Sequence, residues 1–264
     1  MSDVGHGATS DIPHPTSALE VRDLRVASSR VANVVDGVSF SVAAGEILGI
    51  AGVEGNGQTE LIEAIAGLRA AASGAILMGG VDITGASVRE RGDTGLSHIP
   101  EDRHERGLVL EYSVADNLIL GQQHRFTKRG ALDTDRIGTH ARELIKTYDV
   151  RPNDPALPAR ALSGGNQQKI VIAREMGGSR DFRVLLAAQP TRGVDVGAIE
   201  FIHSQLRAAR AAGKAVLLVS ADLTEVLALS DRIGVMYGGK IVTVMSGAGA
   251  TAEKLGPYMT GAAA

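Results

Sequence analysis

Cysteine and tryptophan are absent from this 264-residue sequence, and aromatic residues make up only 3% of it. Without thiols there is no disulfide framework, no Cys-ligated zinc and no thiol catalysis, and an intracellular setting fits. With so few aromatics the core must be built from Ala, Val, Ile and Leu; a hydrophobic content of 44% is enough for one large α/β domain or two small ones. No stretch nears the roughly 20 apolar residues that span a bilayer, and the first eighteen residues have neither a cationic start nor a continuous apolar run. The chain is therefore expected to be neither integral nor secreted, with any membrane role exercised through a partner. Charge of one sign is also lacking: the formal net charge is -3 and no block of Lys and Arg stands out, which argues against nucleic acid as a partner. His6, His14, His98, His104, His124, His140 and His203 show no metal-ligand spacing, and Arg125 to Arg129 reads as a solvated turn.

Residues 1–18 are small, polar and Pro-interrupted, which reads as a tail or linker. From Leu19 onward, LEVRDLRV, VSFSV, EILGIAG and GAILM read as strands, and QTELIEAIAGL places Leu61, Ile62, Ile65 and Leu68 on one helical face. A middle section of about 103–176 is mostly helical by pattern, with VADNLILGQQ, IGTHARELIKTY and GNQQKIVIAREM as its helices. Strand-helix alternation then resumes through FRVLLAA, a helix from Gly197 to about Ala212, KAVLLVS, DLTEVLAL, RIGVMYG and KIVTVM. Such alternation predicts a mostly parallel sheet with helices on both faces.

Between a strand and a helix lies GVEGNGQTE (52–60). Gly52, Gly55 and Gly57 let backbone N–H groups converge beside Asn56, and the helix behind adds its positive end, a geometry that suits phosphate. The usual G-x-x-x-x-G-K-[ST] pattern has Lys where this chain has Gln58, which removes a charge-assisted contact of about 1.5–3 kcal/mol. Thr59 still offers a hydroxyl to a metal, while Glu60 places a carboxylate in the first helical turn, where phosphate would lie. Taken alone, the loop reads equally as an ordinary tight strand-to-helix turn.

The run LSGGNQQKIVIAREM (162–176) is more specific. Ser163 can cap a helix whose first turn holds Gly164 and Gly165, so that a hydroxyl and unpaired N–H groups face outward. The bare S-G-G is also an everyday cap and turn, but the whole run resembles the signature motif of ABC ATPases, in the Asn-Gln-Gln form of sugar and nucleoside importers. The resemblance continues in order along the chain. HIPEDRHERGLVLEYSVADNLILG resembles the Q-loop, with Glu101 where many relatives have Gln. VLLAAQPTRGVDVGAIEFIH resembles the Walker B strand and D-loop, VLLVSADLTEVLALSDRIGVMYGGKIV the switch region, and EKLGPYMTG the end of these importers' second cassettes.

This resemblance implies an α/β fold, a P-loop NTPase-like cassette with a mostly parallel core sheet, an antiparallel β subdomain and an inserted helical subdomain. It implies that the cassette covers 19–246 and that 247–264 forms a C-terminal extension. Against the family pattern, the Walker B Asp and Glu are replaced by Ala188 and Gln189, and the switch His by Ala221; Gln cannot take a proton, a role worth about 10²–10⁴ in rate. No aromatic stands near Ser28 to Arg30, where many cassettes stack adenine. By the same resemblance the chain's own site has no catalytic set, with degenerate positions Gln58, Ala188, Gln189 and Ala221. Its nucleotide contacts would be Gly52, Gly55, Asn56, Gly57, Gln58, Thr59 and Glu60, with Thr59 and Glu101 left as metal contacts.

Cassettes of this family pair head to tail, so Ser163, Gly164, Gly165 and Gln167 are expected to serve ATP and Mg²⁺ held mainly by a competent partner cassette, either a separate chain or a missing N-terminal half. Asp195 is expected at that interface or as a helix cap. Permease subunits, contacted near Arg103 to Tyr112, and indirectly an extracytoplasmic substrate-binding protein complete the expected partners, at the cytoplasmic face of a bacterial plasma membrane. Nucleosides are the first cargo class and simple sugars the second. A standalone active P-loop ATPase, a soluble non-transport ABC protein and a remnant without its partner are the rival readings.

Overall fold

The structure, a computed structural model, describes residues 17–27 and 33–263; Ser28 to Arg30 lie outside the described residues. Strand β1 (Ser17–Val26) starts two residues before the expected Leu19 and pairs antiparallel with β2 (Val35–Ala43) on one side and β4 (Ser73–Met78) on the other. Its alternation breaks at Asp23, whose φ of 42° lies in the left-handed region. The register shifts there, so that Leu24 and Val26 turn inward with Leu19 and Val21 and no charged residue is driven into the core. With β5 (Val81–Asp82) these strands form a four-stranded sheet in the order β2-β1-β4-β5.

A six-stranded sheet holds β3 (Ile47–Ala51), β6 (Leu96–Ile99), β9 (Val184–Ala188), β10 (Ala215–Val219), β11 (Arg232–Tyr237) and β12 (Lys240–Ser246), in the order β12-β11-β3-β10-β9-β6. All neighbours pair in parallel except the β11–β12 hairpin. Every residue of β3, β9 and β10 is buried, as parallel strands covered on both faces require. Along β9, Val184, Leu186 and Ala188 pack with α1 (Gln58–Ala66) and the antiparallel sheet, while Leu185 and Ala187 face the helical layer.

Between β5 and β6 lies α2 (Val88–Asp93), closed by a capping box of Ser87 and Glu90. The middle section is helical as expected, with α3 (Val114–Leu118), α4 (Thr134–Thr147) and α5 (Gly164–Gly177), and it also carries a two-stranded ribbon of β7 (Thr127–Lys128) and β8 (Ala131–Leu132). The helix read over VADNLILGQQ is only five residues long. The chain leaves helical geometry at Ile119 and turns at Gly121, whose φ is 78°. Helices α6 (Val196–Ala211), α7 (Leu223–Leu229) and α8 (Ala252–Met259) complete the fold; Leu255 of α8 is fully buried against Val226, Ile233 and Val235. No helix among the described residues is long and apolar enough to cross a membrane.

Candidate functional site

In a parallel sheet the carboxyl ends of neighbouring strands open onto one crevice. Here β3 leads to the glycine loop, β6 to Pro100 and Glu101, β9 to Gln189, and β10 to Ser220 and Ala221. Together they wall a cleft of about 410 Å³ that also meets Gly52, Gly55, Gln58, Thr59 and Ala188. The sequence-predicted positions on four separate segments thus converge. Glu60 sits in the first turn of α1 but off the cleft wall, and Asn56 and Gly57 act from behind it.

The loop is laced from within. Gln58 is 8% exposed; its Oε1 accepts from Asn56 N–H at 3.1 Å and its Nε2 donates to Val53 O at 3.1 Å. Asn56 Nδ2 donates to Val53 O at 2.9 Å, and Asn56 Oδ1 accepts from Gly238 N–H at 2.8 Å, fastening the loop to the β11–β12 turn. Gly57, at φ 101°, is required as glycine, since a Cβ there would lie 2.4 Å from Val34 O. The N-terminus of α1 has no side-chain cap, so its first N–H groups remain available to an anion.

Opposite, Gln189 adopts φ 46° and donates its backbone N–H to Val219 O at 2.7 Å, while its side-chain Oε1 accepts from Ala221 N–H at 3.0 Å. The carboxamide thus clips the end of β9 to the segment after β10. Glu101 Oε2 accepts from Thr59 Oγ1 at 3.0 Å, and Glu101 Oε1 accepts from Arg192 Nη1 at 2.7 Å. These residues do not fit a divalent cation. Thr59 and Glu101 are bonded to each other, Glu101 is bonded also to a guanidinium, and Ala188 contributes no side-chain oxygen. Among the described residues no group of three or more His, Asp or Glu gathers elsewhere to hold one either.

Arg192, Glu63 and His98 are among the wall residues not singled out from sequence. Arg192 stood within the quoted TRGVD run, but nothing local marked its reach to Glu101. Glu63, which sits on α1 like any surface glutamate, is 6% exposed and is paired by Arg69 and Arg106. His98 lies between this cleft and a second groove; its Nε2 has no hydrogen-bond partner among the described residues, and burial pushes its pKa down to about 4. Carboxylates dominate the cleft: Glu54, Glu63, Glu101, Asp102 and Glu105 line it, with Arg106 and Arg192 as the cations among the described lining residues. Backbone N–H groups of Glu105 and His104 hold Asp102 below the usual carboxylate range, so it stays charged.

The signature segment lies apart from this cleft. Ser163 is exposed and caps α5, its Oγ accepting from Asn166 N–H at 3.4 Å and Asn166 Nδ2 at 3.0 Å. Gly165 is buried, and a Cβ there would meet Asp195 Oδ2 at 2.6 Å. Asp195 caps α6 through Ala198 N–H at 3.0 Å, so the cap reading describes its bonds. Gln167 corrects an expectation: it is 7% exposed, with Oε1 against His104 Nε2 at 2.8 Å and Nε2 donating to Ala159 O at 3.1 Å, so its side chain is an internal strut rather than a free contact for nucleotide.

The ABC transporter family profile matches residues 35–191. Among similar proteins, the nucleoside import ATP-binding protein NupA of Lactococcus lactis is 47% identical over 92% of this chain and 48% of its own length. The guanosine import ATP-binding protein NupO of Bacillus subtilis is 46% identical with the same coverages, and the ribose import ATP-binding protein RbsA of Geobacillus kaustophilus is 37% identical over 90% of this chain. The chain spans about half the length of these relatives. A solved ATP-binding cassette of an ABC transporter superposes with a TM-score of 0.77 at 21% identity, covering 93% of this chain and 98% of that one. With a strand-end cleft behind a glycine loop, a capped signature helix and this match over most of its length, the chain belongs to the ABC transporter family as an ATP-binding cassette.

Proposed function

We propose that this chain is an ATP-binding subunit or half-subunit of an importer, and that its own cleft does not turn ATP over while its signature segment serves ATP held by a competent partner cassette. The observation that carries the reading is the chemistry of the cleft. Gln58 is neutral and folded onto its own loop, Ala188 and Ala221 offer no polar side chain, and the Gln189 carboxamide is engaged by the Ala221 backbone N–H. Positions 188, 189 and 221 carry no acid or imidazole to polarise a water, whereas Ser163 stands exposed at the start of α5.

Phosphoryl transfer depends mostly on positioning and on stabilising charge spread over the γ-phosphate. The Ser163 hydroxyl, the Gly164 N–H and the positive end of α5 can supply that across an interface, and the packing of Gly165 against Asp195 fixes their direction. Similarity to nucleoside and guanosine import proteins at 46–47%, against 37% for a ribose import protein, supports nucleosides ahead of simple sugars as cargo. On this reading the chain sits at the cytoplasmic face of the membrane, bound to permease subunits that receive cargo from an extracytoplasmic binding protein.

The test is turnover by the purified chain alone and with a competent cassette, each with Ser163 or Ser163→Arg. Silence alone, with turnover by the pair that requires Ser163, is the expected result. Turnover by the chain alone, indifferent to Ser163, refutes the proposal.

A further inference from the structure

The two side-chain oxygens that a bound cation would join in this cleft, Thr59 Oγ1 and Glu101 Oε2, are already bonded to each other, and the other oxygen of that carboxylate is taken by a cation the chain itself carries. Arg192 lies in the loop between β9 and α6 and donates to Glu101, which follows β6 and in turn accepts from Thr59 at the start of α1. One carboxylate therefore ties together three segments that leave the sheet separately. The same two loops are tied in the reverse direction. Arg103 Nη1 donates to Arg192 O at 2.8 Å and Arg103 Nη2 to Gly193 O at 3.2 Å. A Cβ at Gly164 would come within 2.8 Å of Arg103 Nη2 and 3.0 Å of Gly193 O, so this clasp lies directly beneath the first turn of α5.

A divalent cation joining a hydroxyl to a carboxylate supplies charge and direction; a guanidinium supplies charge and fixed N–H vectors. We infer that Arg192 is a positioning residue that stands in for the metal in this cleft. Through Glu101 and Thr59, with Arg103 closing the return path, it holds the loop after β6 and the loop after β9 in a fixed relation with neither nucleotide nor metal bound to this chain. The floor under Ser163 and Gly164 is set in advance. The inference concerns this chain's own side chains and goes beyond the donated-signature reading, so it stands or falls separately from it.

Amide hydrogen exchange on the full chain tests it, read by mass spectrometry over 101–107, 189–195 and the β3 core, with and without millimolar Mg²⁺. Arg192 is 58% and Glu101 28% exposed, so solvent weakens the pair and the expected effect is modest. Arg192→Ala and Glu101→Ala should each speed exchange in both loop segments by about threefold to fivefold, with β3 unchanged, since an exposed ion pair contributes up to about that factor. Arg192→Lys should recover part of the protection, and Mg²⁺ should leave the wild-type pattern unaltered. The inference is overturned if both loops exchange at the wild-type rate in both alanine variants, or if only the mutated loop responds. It is equally overturned if β3 accelerates in step with the loops in every variant, or if Mg²⁺ slows exchange in the wild-type loops. Each of these results is obtained without a partner cassette, so none depends on whether Ser163 is donated.

Discussion

Replacing Gln58 with lysine should raise the affinity of this cleft for nucleotide without producing turnover. In the wild type the carboxamide makes two neutral hydrogen bonds inside the loop, to Asn56 N–H and Val53 O, each at 3.1 Å. Lysine can keep the contact to Val53 O as donor but loses the one from Asn56 N–H, which frees that N–H to face phosphate. An ammonium contact to phosphate is worth about 1.5–3 kcal/mol, nominally ten- to hundredfold in affinity. Glu54 and Glu101 on the same wall attract the ammonium before any ligand arrives and offset part of that gain. The expected result is therefore at the low end, about tenfold tighter binding. Titration with a fluorescent ATP analogue at low and high salt measures it, and the gain should shrink with salt as screening grows. Turnover by the variant alone should stay at background, because Ala188, Gln189 and Ala221 are unchanged. A Gln58→Lys chain whose affinity stays within twofold of wild type at low salt refutes the argument that the loop retains a working phosphate cradle; appearance of turnover refutes the argument that the cleft lacks its chemistry.

Three further predictions concern stability. His98 has a pKa of about 4 when folded, against 6.5 for a free imidazole, because burial disfavours its charged form. The unfolded chain therefore binds a proton first as pH falls, and stability should drop by about 1.4 kcal/mol per pH unit from about 6.5 down to about 4; in denaturant melts across that range the His98→Leu variant should lack this increment of slope, and an unchanged slope refutes the assignment. Gly165→Ala places a Cβ 2.6 Å from Asp195 Oδ2 and 3.0 Å from Ala198 Cβ, so it should lower the unfolding free energy by about 1–3 kcal/mol, a cost typical of overpacking, while Gly197→Ala, whose nearest contact is an ordinary 3.4 Å, is the control. Asn117 is fully buried, accepting from Val109 N–H and donating to the carbonyls of Val109, Tyr112 and Ser113; Asn117→Ala leaves these groups without it and should destabilise by about 3 kcal/mol, visible as an earlier denaturant midpoint.

The strands of the central sheet were legible because uninterrupted apolar runs between glycine turns have few other solutions, as at EILGIAG and VLLVS. The glycine loop and the signature segment were legible because both depend on short, local patterns of small residues and caps. Contacts between distant segments were not. Arg192 and Glu101 are 91 positions apart, and nothing in either neighbourhood encodes the other. Gln167 was misplaced for the opposite reason. Its motif suggested exposure to a ligand, but helical geometry turns that side chain inward, where His104 and Ala159 O take both ends of the amide. The length of α3 was misjudged because Ile119 and Leu120 continue an apolar pattern that the turn at Gly121 cuts short.

If the cleft is inactive as proposed, Gln58, Ala188, Gln189 and Ala221 stand at unequal distances from an active arrangement. Gln189 already holds the left-handed backbone and the hydrogen bond to Ala221 N–H that an isosteric glutamate would use, since the atom engaged there is the carbonyl oxygen. Exchanging one terminal nitrogen for oxygen would rebuild that corner with no movement of the chain. Ala188 and Ala221 carry no side chain beyond a methyl group, and Glu101 is bonded to Arg192. On that reading Gln189→Glu is a single step, whereas a metal-binding use of Glu101 would first require its ion pair with Arg192 to be undone. On that reading, regaining acids at 188 and 189 would not be enough, because the Arg192 guanidinium already occupies the carboxylate of Glu101.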